Sequence, residues 1–141
     1  MNIYYIFKIK DEFYDLYNKH ELALYNIFYE IYSLDKKEIT YGMNLFKQIT
    51  NQINKKELDN EITNLLANKL RYYKNKDEHI INNLFEEEIS IMKIKNTHII
   101  INILKTATEF FEILAKKDNH LFACDFKNNN YFFLSRIKTL V

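Results

Sequence analysis

Nucleophilic catalysis in this chain would have to come from Cys124, with His98 or His120 as its base. A thiol needs such a base within hydrogen-bond reach. Cys124, however, sits in the apolar run Leu121-Phe122-Ala123-Cys124, where a cysteine behaves as a small buried hydrophobe. His98 opens a strand-like run and His120 falls in a turn, so neither is marked as a base by its neighbours. Asp77-Glu78-His79 and Glu86-Glu87-Glu88 gather oxygen and nitrogen ligands, but at no zinc or calcium spacing, and they read as a solvated charged face. Gly42 is the only glycine, which excludes the glycine-rich loops that cradle phosphates. No catalytic residue, metal ligand or cofactor is expected.

Binding chemistry is better represented. The stretch Lys69-Leu70-Arg71-Tyr72-Tyr73-Lys74-Asn75-Lys76 interleaves cations with rings on which bases could stack, so single-stranded nucleic acid is one candidate ligand of the Arg71 to Lys76 region. Against it stands the charge balance: twenty basic and nineteen acidic residues give a net charge of +1, with no global field toward a polyanion or an anionic membrane. Eleven Tyr and eleven Phe exceed what a core of this size must bury. Tyrosines 14, 17, 25, 29 and 32 lie around several sides of one helical stretch, so some must reach the surface, where tyrosine favours protein interfaces. Phe13 and Tyr17, by contrast, share a helical stripe with Leu16, and periodicity alone assigns that stripe to the core.

The elements that position these residues follow from two periods. A length of 141 residues with 48% hydrophobic content predicts one domain over residues 1–141 with a genuine core. A single cysteine excludes an internal disulfide and points to a reducing, cytoplasmic setting. The start lacks a signal-peptide pattern, and the most apolar window, 99–104, is far shorter than a membrane span. Part of the Lys, Asn, Ile, Tyr and Phe content matches A/T-rich codons.

Ile3, Tyr5, Phe7 and Ile9 alternate with Tyr4, Ile6, Lys8 and Lys10 as a first strand. From Asp11 the spacing turns helical to about Leu34, with a bend near Asn18-Lys19-His20, and Asp35-Lys36-Lys37 breaks it. A second helix is expected within Thr40 to Ile53 and a third from Leu58 to Leu70. Arg71 to Asp77 then reads as a charged connection, and Asp77 to Glu86 as one more helical segment through Ile80, Ile81, Leu84 and Phe85. Ile89 to Ile94 and His98 to Leu104 form two antiparallel strands about Lys95-Asn96-Thr97. A helix over Thr106 to Lys117 follows, then a second hairpin, Leu121 to Phe126 and Tyr131 to Leu134, whose turn uses asparagines for left-handed backbone. The class is α+β, in the order β-α-α-α-β-β-α-β-β, with a mainly antiparallel sheet of about five strands.

Two blocks of this sequence resemble a known family. Tyr4-Tyr5, Ile9-Lys10, Glu12-Phe13 and Tyr17 resemble the start of SirA, the sporulation inhibitor of replication of the Bacillales. Phe110-Phe111-Glu112-Ile113-Leu114, then Phe122 to Phe126, Tyr131 and Leu134, are similar to its closing helix and hairpin. The resemblance implies a non-enzymatic protein that binds domain I of the initiator DnaA. It implies Phe13 and Tyr17 as contact residues, with a second contact region at Leu45 and Gln48. Leu45 and Gln48 stand where the family carries glutamine and tyrosine, and Ser135-Arg136 where it has a proline-containing turn.

Overall fold

The computed structural model describes residues 1–83, 85, 87–104 and 108–140. Its strands are β1 (Asn2–Lys8), β2 (Tyr72–Asn75), β3 (Glu78–Asn83), β4 (Glu88–Ile94), β5 (Ile99–Ile103), β6 (Leu121–Asp125) and β7 (Asn130–Phe133). The helices are α1 (Asp11–Tyr17), α2 (Glu21–Ser33), α3 (Ile39–Ile49), α4 (Lys55–Leu66) and α5 (Glu109–Lys117). All strands join one antiparallel sheet in the order β2-β3-β4-β5-β1-β6-β7. The α+β class holds, with seven strands in place of about five.

The alternation in β1 decides the layering. Tyr4 and Ile6 turn to one face, where they meet Ile99, Ile101 and Met92 of the sheet, Ile62 and Leu66 of α4, and Phe110 and Leu114 of α5. Phe7 turns to the other face and packs with Phe122, Cys124 and Phe133 beneath Leu24, Tyr25 and Phe28 of α2. A strand apolar on both faces must lie inside the sheet. Tyr5 accordingly stands opposite Ile100 on one side and Cys124 on the other.

Local chemistry sets the helix starts. Asn54 accepts from the Glu57 N–H at 3.1 Å while its own amide donates to the Glu57 carboxylate, a reciprocal cap that draws Lys55 and Lys56 into the first turn of α4. The third helix therefore starts before Leu58, and it ends at Leu66 rather than Leu70. Thr108 caps α5 through the Phe110 N–H at 3.2 Å. Thr106, assigned above to that helix, lies outside the described residues with Ala107.

Two expectations are corrected. The stretch from Asp11 to Leu34 is two helices rather than one bent helix: Asn18 donates its N–H to the Tyr14 carbonyl, and His20 leaves helical geometry at φ −133°. Asn18-Lys19-His20 offers no apolar side chain to hold a continuous helix on the core. The second correction concerns residues 72–83, which form the hairpin β2–β3, neither a charged connection nor a helix. Lys76 turns the chain at φ 56°. Ile80 and Ile81 suited a helical stripe, but as strand neighbours they point to opposite faces and both are buried. Leu84 and Glu86, at the end of that expected helix, lie outside the described residues.

Asparagine does supply the left-handed turn residue of the second hairpin, Asn129 at φ 53°. Among the described residues no helix is long and apolar enough to cross a membrane.

Candidate functional site

Helices α1 and α3 are tied together at one point by backbone pairing. Ile9 bridges Thr50, the Lys10 N–H donates to the Ile49 carbonyl at 2.9 Å, and the Asn51 N–H donates to the Lys8 carbonyl at 2.8 Å. The start of α1 and the end of α3 are therefore held side by side. No side chain caps α1, but Asp11 and Glu12 in its first turn complement the positive end of the helix dipole.

Phe13 and Tyr17 are half-buried, and with Leu45 they pack on the aromatic cluster of α2 and β6. Leu16, expected on the same buried stripe, is 59% exposed. Tyr14 shares the inward face with Phe13 and Tyr17 in its place: it stacks on His120 at 4.1 Å and meets Phe133 edge-on at 5.1 Å. Phe13 and Tyr17 keep part of their surface open, and Leu16 beside them is exposed. Gln48, one turn along α3 from Leu45, is exposed.

The aromatic surplus divides between core and surface. Tyr25 is buried, stacks on Tyr131 at 4.6 Å and donates its hydroxyl to Asn129 at 2.9 Å. Tyr29 and Tyr32 are exposed.

The residues weighed for catalysis do not assemble. Cys124 is fully buried, and burial pushes its thiol well above the ordinary value, away from the thiolate that a nucleophile needs. No hydrogen bond joins it to a histidine among the described residues. His98 is lowered by burial and by nearby Lys95, and His120 pairs with Asp11 at 3.0 Å. No group of three potential metal ligands forms among the described residues.

His79 was grouped with a solvated face, and it is instead completely buried. Its Nε2 lies 2.6 Å from Asp59 Oδ1 and its Nδ1 2.7 Å from the Tyr72 hydroxyl, while Lys55 Nζ reaches Asp59 Oδ2 at 2.7 Å. The arrangement copies a base and its orienting carboxylate, but it clamps the hairpin onto α4. Burial lowers the imidazole and raises the tyrosine hydroxyl, so neither is poised to react near neutral pH. The sequence carried one sign of it: Asp59 sits three residues before Ile62 and seven before Leu66, an acid inside an apolar helical stripe.

The basic and aromatic stretch is partly committed to the fold. Arg71 Nε donates to Glu109 Oε2 at 2.8 Å and its Nη2 to Oε1, and the Tyr72 hydroxyl is held by His79. Tyr73, Lys74 and Lys76 remain exposed. Arg136, where the expected proline turn is missing, pairs with Glu21 and donates to the Asn18 carbonyl, binding the C-terminal 3-10 turn (Leu134–Leu140) to the break between α1 and α2.

Compared with known proteins, residues 2–138 match the model of the family described as sporulation inhibitor of replication protein SirA. No curated protein matches the chain.

Proposed function

The chain belongs to the SirA family of sporulation inhibitors of replication, and from that premise we propose that it restrains initiation by binding domain I of DnaA through α1 and α3. Phe13 and Tyr17 would supply the apolar anchors, with Leu45 and Gln48 as the second contact region. The observation that carries this reading is the tie through Ile9, Lys10, Ile49 and Thr50, which holds the start of α1 beside the end of α3 and supports a single docking surface built from both helices. Half-buried rings suit the role, because their orientation is already fixed and less side-chain entropy is lost on docking.

The mechanism is occlusion. A domain that covers a protein-interaction surface of the initiator need not touch DNA and needs no catalytic residue, which agrees with a net charge of +1 and with the inert Cys124. The protein acts in this reading as a cytoplasmic regulator rather than an enzyme.

Calorimetric titration of the full chain into DnaA domain I from the same organism tests it. Binding at about 10 µM or tighter is expected, with at least about a tenfold loss for Phe13→Ala combined with Tyr17→Ala. No heat at those concentrations would remove DnaA as the partner. Unchanged affinity in the double variant would remove the site.

A further inference from the structure

A cleft runs between α2, α3 and the sheet, on the side of α3 that faces away from Leu45 and Gln48. It has two connected lobes of about 550 and 340 Å³, within the range of sites that bury a ligand group. Ile31, Tyr32, Met43 and Phe46 line both lobes, and Phe7 and Phe126 line the smaller, aromatic one. Ile39, Met43, Phe46 and Lys47 recur at helical spacing along α3, whereas Leu45 and Gln48 fall between them on a separate face.

The charge at the cleft is one-sided. Lys10 and Lys47 line the larger lobe, and among the described residues no acidic side chain lines either lobe. Lys8, Lys55, Lys93 and Lys117 each meet a carboxylate within 4 Å, but Lys10 and Lys47 meet none among the described residues. The apolar surface also continues out of the cleft: Tyr32, Ile39 and Met43 at its mouth are 58%, 56% and 52% exposed. A small molecule would leave that outer surface bare, and a polypeptide laid along α3 would cover it.

We infer that the cleft is a second docking site, for a segment of a protein partner that inserts an aromatic or branched apolar side chain and carries carboxylates beside it. The apolar anchor fills the lobes between Tyr32, Met43 and Phe46, and the carboxylates meet Lys10 and Lys47 at the rim. Unpaired rim cations of this kind set partner choice and approach rate more than total affinity. The site stands whether or not DnaA is the partner of α1, since the anchor residues of the two surfaces lie on separate faces of α3 and meet only at the backbone tie near Lys10 and Thr50.

Fluorescence anisotropy of the full chain with two labelled synthetic peptides tests the inference. One is an amphipathic helix with a Phe and Leu face flanked by Glu; its twin carries Lys at every Glu position. The Glu peptide should bind about tenfold tighter at low salt, with the gap narrowing at high salt. Lys10→Glu combined with Lys47→Glu should reverse the preference, and Met43→Asp should weaken both peptides. Met43 and Lys47 are exposed and Lys10 is half-buried, and retention of the wild-type circular dichroism spectrum establishes that each variant is folded. Equal binding of the twins, absence of binding, or a preference unmoved by the charge reversal overturns the inference.

Discussion

His79 Nε2 and Asp59 Oδ1 lie 2.6 Å apart across the boundary between hairpin β2–β3 and helix α4, and the imidazole is fully buried there. The pair couples two parts of the chain that a polar residue would otherwise push apart. Burial lowers His79 below its ordinary 6.5; burial also pushes Asp59 up, but Lys55 and His79 together hold it below its ordinary 3.8.

Stability should therefore fall in mild acid. The unfolded chain binds a proton on His79 at its ordinary value while the folded chain resists, so the stabilisation is complete above pH 6.5 and declines below it. Asp59 acts in the same sense lower down: its contribution is present above 3.8 and lost as the pH falls through its depressed folded value. His98, also lowered, adds to the first effect, and Glu88, raised by burial, opposes it at acid pH. Urea midpoints should be lower at about pH 5.5 than at about pH 7.5, and His79→Gln should shrink that difference. A midpoint equally pH-sensitive in the variant would assign the effect to other groups.

Asp59→Ala leaves the Nε2–H of His79 buried without an acceptor and should cost about 1–3 kcal/mol. Combining it with His79→Ala should cost less than the sum of the single changes, by about 1–2 kcal/mol in a double-mutant cycle read by denaturant unfolding. Strict additivity would show that the two side chains act independently.

Gly42 is a question of space. A Cβ there would stand 2.6 Å from Leu34 Cδ1, the end of a partly exposed and movable side chain. Relief of that contact offsets the helix preference of alanine, so Gly42→Ala should change stability by less than about 1 kcal/mol. Gly42→Leu cannot be accommodated by Leu34 and should cost about 1–3 kcal/mol in thermal unfolding.

Cys124 should not react with a disulfide reagent in the native protein, and labelling should track global unfolding as urea is raised. Cys124→Ser should destabilise by about 1–3 kcal/mol, since the hydroxyl would be buried in an apolar cluster. Fast native labelling would reopen a catalytic role for the thiol.

Arg71→Ala should lower stability by about 0.2–1 kcal/mol, the range for a partly exposed pair, through loss of Glu109. Binding of oligonucleotides should be undetectable at low salt before and after the change. A salt-sensitive signal that Arg71→Ala abolishes would favour the single-stranded nucleic-acid reading of residues 71–76.

Much of the sheet was legible because its chemistry repeats at period two. Ile99 to Ile103 buries alternate residues of a mostly β-branched run, and Ile89 to Ile94 likewise alternates, with Ser90, Met92 and Ile94 on the buried face. Hairpin β2–β3 was not, because His79, Ile80 and Ile81 are all buried and leave no alternation to read. The partner that makes a buried His79 tolerable is twenty residues away on α4, beyond any local pattern. On α1 the spacing placed Phe13 and Tyr17 against the core, but it wrongly included Leu16, which is exposed, and missed Tyr14, which packs beside them. The tie between α1 and α3 runs through backbone groups, which side-chain patterns do not encode.

The central place of β1 has a consequence for how the protein is made. Of the seven strands of this sheet it is made first, and it is also the one on which both halves close, against residues 99–103 on one side and 121–124 on the other. Its edges must wait, unpaired, until residues 121–124 have been synthesised. Formation of the native sheet is then late and of high contact order, and during that wait the nascent β1 is the segment most in need of protection from self-association.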